Sequence, residues 1–173
     1  ERSAEDKIAQ LQYAKEKIGL ARADYEKKRR GPLQTDELFT QLLPQRAILL
    51  SETLCRPTLD NLWQYHTHFY DQIEESRRSA FAFEDLAGIY TSGGRSRLFA
   101  VCLRYPDTDG LTLLPAGTYL CVNCSEESRE KLRERMLQHA RRHYGIRPEF
   151  LVELIVISGI LQWKYQIQMF LKS

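Results

Sequence analysis

One pattern that occurs twice constrains this chain most. Leu42-Leu43-Pro44-Gln45-Arg46-Ala47-Ile48-Leu49-Leu50 is echoed 71 residues later by Leu113-Leu114-Pro115-Ala116-Gly117-Thr118-Tyr119-Leu120-Cys121. Each copy runs on into a strand, a helix and two further strands. The first helix is expected over 58–75, with Leu59, Leu62, Trp63, Phe69, Tyr70 and Ile73 on one face. The second is expected over 126–144, with Leu132, Met136, Leu137 and Ala140 as its stripe. Ser125 is its candidate N-cap and Gly145 its C′ residue. Phe81–Tyr90 then corresponds to Phe150–Ile157, which sets Glu84 opposite Glu153, and Leu98–Tyr105 corresponds to Gln162–Lys172. Ser92-Gly93-Gly94 and Ser158-Gly159 carry the turn chemistry that closes each hairpin. A duplicated β-α-β-β unit makes an antiparallel sheet with both helices to one side, an α+β fold. The other face must be closed by something or left as a groove.

Residues 1–32 stand apart from the duplicated region, 33–173. Leu11, Ala14, Ile18, Ala21 and Tyr25 recur at spacings of three and four, a narrow seam on an otherwise charged helix over 3–29. So thin a stripe predicts a coiled coil that pairs with a second copy of the chain. Lys27-Lys28-Arg29-Arg30 suits the helix C-terminus, and Gly31-Pro32 ends it.

Lys and Arg number 25 against 23 Asp and Glu, too even a balance for this chain itself to hold nucleic acid. Glu153, Gln162 and Lys164 interrupt the longest apolar stretch before it reaches the length of a membrane span. The N-terminus is charged and lacks the apolar segment of a signal peptide. It begins without Met, as expected of a piece of something longer. Four cysteines do not form a disulfide framework, which predicts a reducing, cytoplasmic setting. Cys121-Val122-Asn123-Cys124 falls in an expected strand, where its thiols serve as small buried hydrophobes rather than as a redox or zinc pair. His139 and His143 lack the glutamate of a metalloprotease helix, and no Gly-rich phosphate loop is present, so no metal or cofactor is expected.

Glu153 is the residue that needs an explanation. It sits in Phe150-Leu151-Val152-Glu153-Leu154-Ile155-Val156-Ile157, a run suited to a strand covered on both faces. A carboxylate stripped of water there costs several kcal/mol, on the order of the penalty for any buried ion. Three arrangements can offset it. The acid stays protonated, it pairs with an internal base such as Arg46, Arg95, Arg97 or Arg104, or it awaits a cation from outside. Alternation puts Ile155 on its face. If the strand faces coincide, Tyr119, Trp163 and Tyr165 join it on the groove side, a carboxylate ringed by aromatics suited to organic cations.

Leu114-Pro115-Ala116-Gly117-Thr118-Tyr119, Val152-Glu153-Leu154-Ile155 and Tyr165-Gln166-Ile167-Gln168-Met169 resemble, in order and spacing, the effector-binding domain of MerR-family multidrug-responsive transcription regulators, a gyrase-inhibitor-like (GyrI-like) fold. The resemblance implies that Glu153 binds lipophilic cationic small molecules, that Tyr119 and Tyr165 stack around them, and that Ile155 forms an apolar wall. It implies a further ring from Tyr65, with Trp63 as its substitute or companion. It also implies a homodimer through the N-terminal helix, and DNA binding only through a helix-turn-helix domain that this sequence lacks. Relatives of the same fold resemble hydrolases of electrophilic small molecules, for which Glu153 with Tyr119 or Tyr165 would be an acid/base pair. Others are inhibitors of partner proteins.

Overall fold

In a computed structural model the described residues are Lys7, Ile8, Gln12, 36–158 and 162–173, without the side chains of 156–158, 162 and 163. The expected coiled coil and its Gly31-Pro32 stop lie outside the described residues, as does Gly159 of the second turn. Thr35–Ser173 forms one compact unit.

That body is α+β, built on one eight-stranded antiparallel sheet. Its elements are β1 (Leu38–Leu43), β2 (Arg46–Leu50), α1 (Leu59–Trp63), α2 (Tyr65–Asp71), β3 (Ala82–Ser92), β4 (Arg95–Arg104), β5 (Thr112–Leu114), β6 (Gly117–Ser125), α3 (Arg129–His139), β7 (Phe150–Ser158) and β8 (Gln162–Lys172). The strand order is β1-β6-β8-β7-β3-β4-β2-β5. It divides into mirror-ordered halves that meet where β7 pairs with β3. The opening strands are exchanged between the halves, β1 pairing with β6 and β5 with β2. The elbows that permit this are Leu43-Pro44 and Leu114-Pro115, where proline cannot continue a ladder.

The first expected helix is broken. Thr58 caps α1 in a reciprocal capping box with Asn61, and Gln64 (φ −106°, ψ 25°) then interrupts the helical path before α2. A 3₁₀ turn over Glu75–Ala80 finishes the segment. The second helix starts at Arg129 with Ser128 at the cap position, and its last turn widens to π geometry over Ala140–Tyr144. Gly145 ends it at φ 65°, the left-handed conformation foreseen for it. Gly93 and Gly94 both take positive φ and close the β3–β4 hairpin.

Alternation along the strands sorts two cores. Tyr65, Phe69, Leu132, Met136 and Ala140 from the helices pack on Ile89, Leu98, Ile155, Tyr165 and Ile167. The opposite face gathers Ile48, Phe99, Val101, Leu114 and Val152, with no helix among the described residues contributing to it. It is closed by curvature. Arg46 on β2 donates to Gln168 on β8 at 2.8 Å, although β7, β3 and β4 lie between these strands in the sheet. Among the described residues, the face opposite the helices is therefore filled by its own side chains.

Candidate functional site

Glu153 points toward the helices, contrary to the expectation of a groove on the far side. It is fully buried, at 0% exposure. Its partners come from the first turns of α3. Arg129 Nε and Nη2 lie 2.7 and 2.6 Å from Oε2, and Arg133 Nη2 lies 2.5 Å from Oε1. A carboxylate without an internal counter-charge is thus not what the fold contains, and neither are pairs with Arg46, Arg95, Arg97 or Arg104. Arg129 and Arg133 could have been found from helix phase. They precede Leu132 and Met136 by three positions each, so the inward stripe of α3 continues into arginine at its N-terminal end.

Arg129 is held from several sides. Its guanidinium carbon is 4.5 Å from the centroid of the Tyr165 ring, and Glu126 approaches Nη1 at 3.6 Å. Burial alone would lower its pKa, but Glu153, Tyr165 and Glu126 together raise it above the ordinary value. Tyr165 is itself buried, and its hydroxyl faces Glu126 without a well-aligned hydrogen bond. Burial first, and Glu126 second, push its pKa up, so the hydroxyl stays protonated near neutrality. Arg133 keeps Nε buried and without a partner.

A cleft of about 690 Å³ opens beside these arginines, between the start of α3, the β3–β4 hairpin and Cys55-Arg56-Pro57. Arg56, Arg129 and Arg133 line it against Glu126, Glu127 and Glu130, so Glu153 beneath leaves one net negative charge. The arginines, not Glu153, form the exposed floor.

The remaining residues singled out from the sequence are dispersed. Ile155 lies on the face of Glu153 and pairs across the ladder with Tyr165. Tyr65 belongs to the core of that face, but its hydroxyl is fixed to the main chain, donating to the Phe99 carbonyl and accepting from Gly88 N at 3.2 Å. Burial raises its pKa. Tyr119 is on the other face, because the register sets it against Phe170 and not against Tyr165. There its ring lies 5.3 Å from the Arg46 guanidinium, and its hydroxyl donates to Pro115 O at 2.7 Å. Trp63 is exposed to solvent. Trp163 pairs through its backbone with Ile157.

The Cys121 and Cys124 thiols are buried, with pKa values pushed up to about 12 and about 11. Among the described residues no group of three His, Cys, Asp or Glu could hold a metal ion. No helix of the described residues is long and apolar enough to cross a membrane. Comparison with known protein families finds no match, and no curated protein matches the sequence.

Proposed function

We propose that this chain is the effector-binding and dimerisation region of a MerR-type transcription regulator, with a GyrI-like ligand domain that takes cationic small molecules over Glu153. The observation that carries this reading is the seat itself. A fully buried carboxylate lies under a cleft, and a cation is already stacked on an aromatic ring above it. That cation is Arg129. A guest must therefore exchange with an internal guanidinium and does not enter an empty cage.

The energies of the exchange are of matching size. Breaking one partner out of a buried ion pair costs about 3–5 kcal/mol. A cationic guest recovers about 1.5–3 kcal/mol for each hydrogen bond it makes to the carboxylate. Apolar contact returns about 25 cal/mol per Å² more. Arg129 need not be orphaned, because Glu126 already stands 3.6 Å from it at the cleft margin. Displacement would move a side chain of the first turn of α3, which offers a route from ligand occupancy to the rest of the regulator. Dimerisation through residues 1–32 and DNA contact through a separate domain complete the proposal. A hydrolase in the same place has less support. Both oxygens of Glu153 are engaged by arginines, and Tyr119 lies across the sheet from it.

Calorimetric titration with a panel of organic cations and neutral analogues tests the reading. Saturable binding of cations is expected, weakened about ten-fold or more by Glu153→Gln while neutral analogues change little. Equal loss for both classes, or no binding at all, would leave the arginine cluster as a structural ion pair.

A further inference from the structure

Arg129 does in the closed site what a bound cation would do, and it does so with more specificity than charge alone requires. Its Nε donates to one oxygen of Glu153 at 2.7 Å, and its Nη2 stands 2.6 Å from the same oxygen. Its guanidinium carbon is meanwhile 4.5 Å from the Tyr165 ring centroid. Arg133 takes the other oxygen from a neighbouring turn of the helix. The seat left by Arg129 thus offers a carboxylate oxygen that takes an N–H donor, beside an aromatic ring. A fully alkylated or arylated cation can meet the ring but gives the oxygen nothing. For a carboxylate as buried as Glu153, an acceptor that loses its donor is destabilised by more than a cation–π contact returns.

We infer that the seat over Glu153 selects planar, N–H-donating cations of the guanidinium, amidinium or amino-heteroaromatic kind, and that Arg129 is their internal occupant. This rests on the reading of the cleft as a ligand site, and it names the class of ligand. Charge and geometry agree on it. The cleft sets Glu126, Glu127 and Glu130 against Arg56, Arg129 and Arg133, so vacating the Arg129 position leaves the lining acidic, while Arg133 Nη2 stays 2.5 Å from Oε1, an oxygen that accepts no hydrogen bond of its own.

The test uses Arg129→Ala, which empties the seat, titrated calorimetrically with benzamidinium and with tetraphenylphosphonium. Benzamidinium is expected to bind at least about ten-fold tighter than the phosphonium, since the donors are worth that much. It should also lose that advantage in Arg129→Ala/Glu153→Gln. Equal or tighter binding of the phosphonium, or binding of neither, overturns the inference. Should Arg129→Ala not fold unaided, recovery of cooperative unfolding in benzamidinium and not in the phosphonium reads the same preference. Recovery in both or in neither contradicts it. The intact chain serves as a separate control. If it takes no cation while the emptied seat takes benzamidinium, the sensor reading fails and the selectivity of the seat stands.

Discussion

Arg133 Nη2 stands 2.5 Å from Glu153 Oε1, one helical turn beyond the arginine that takes the other oxygen. Because the carboxylate is wholly buried, its worth to the fold depends on both partners being present. Arg133→Ala is expected to cost about 3 kcal/mol, the low end for breaking a buried pair, since Arg129 stays in place. Arg129→Ala/Arg133→Ala should cost more. Replacing all three groups, as in Glu153→Leu/Arg129→Met/Arg133→Met, should return stability to within about 1 kcal/mol of the starting chain. Urea unfolding measures all three. A single Arg→Ala change with no effect on the midpoint would mean that the pair is solvated.

Gly88 has no room for a side chain. A Cβ there would collide with the Phe99 ring, so Gly88→Ala should destabilise by about 1–3 kcal/mol through overpacking. Phe99→Leu added to Gly88→Ala should recover part of the loss, as thermal unfolding would record. Recovery of none of it would place the strain elsewhere.

Tyr65 bonds to the main chain on both sides of the same strand pair, through Gly88 N and the Phe99 carbonyl. Tyr65→Phe strands these buried groups and should cost about 1–3 kcal/mol of stability. Cation affinity, measured by the same titration, should be unchanged. A selective loss of affinity at full stability would restore Tyr65 to the ligand site.

Of the four thiols, Cys55 alone is exposed. An aromatic disulfide reagent should therefore modify one thiol rapidly in the native chain and the other three only as it opens. Labelling of Cys121 or Cys124 as fast as Cys55 would contradict their burial.

The same burial makes stability sensitive to alkali. It raises the pKa of Cys102 and Cys121 from 9.0 to about 12, against smaller opposing effects of the Leu49 main chain and Arg46 respectively. Between these values the native state holds protons that the unfolded state has released, so stability falls as pH rises. It is fully present below about pH 9 and should decline by up to about 1.4 kcal/mol per unit for each thiol toward pH 12. Cys102→Ala/Cys121→Ala, though less stable at pH 8, should show a shallower decline in urea midpoint. Parallel slopes for the two chains would exclude Cys102 and Cys121 as its source.

The α+β class and the antiparallel sheet were legible because apolar alternation and turn chemistry recur along the chain. Gly145, the Gly93-Gly94 turn and the inward Leu132 and Met136 could be placed from local chemistry alone. The exchange of β1 and β5 was not visible, because strand propensity does not say which neighbour a strand finds. Tyr119 was misplaced for a related reason. Alternation separates Tyr119 from Leu120 within β6, but only the register against Phe170 decides which of them faces Glu153. Glu153 was recognisable as anomalous from its neighbours. Its partners were missed because arginines on a charged helix look solvated until the helix phase is followed back three positions from Leu132 and from Met136.

If a guest cation takes the place of Arg129 on Glu153, the arginine must leave its buried hydrogen bond. Nitrogen-edited NMR of the Arg129 Nε–H group during titration with benzamidinium addresses this most directly. The bond to Oε2 should give a slowly exchanging signal in the free chain, and saturation with the cation should make that proton exchange rapidly with water. A signal that stays protected while the cation binds would show that Arg129 never leaves, and that the guest sits elsewhere.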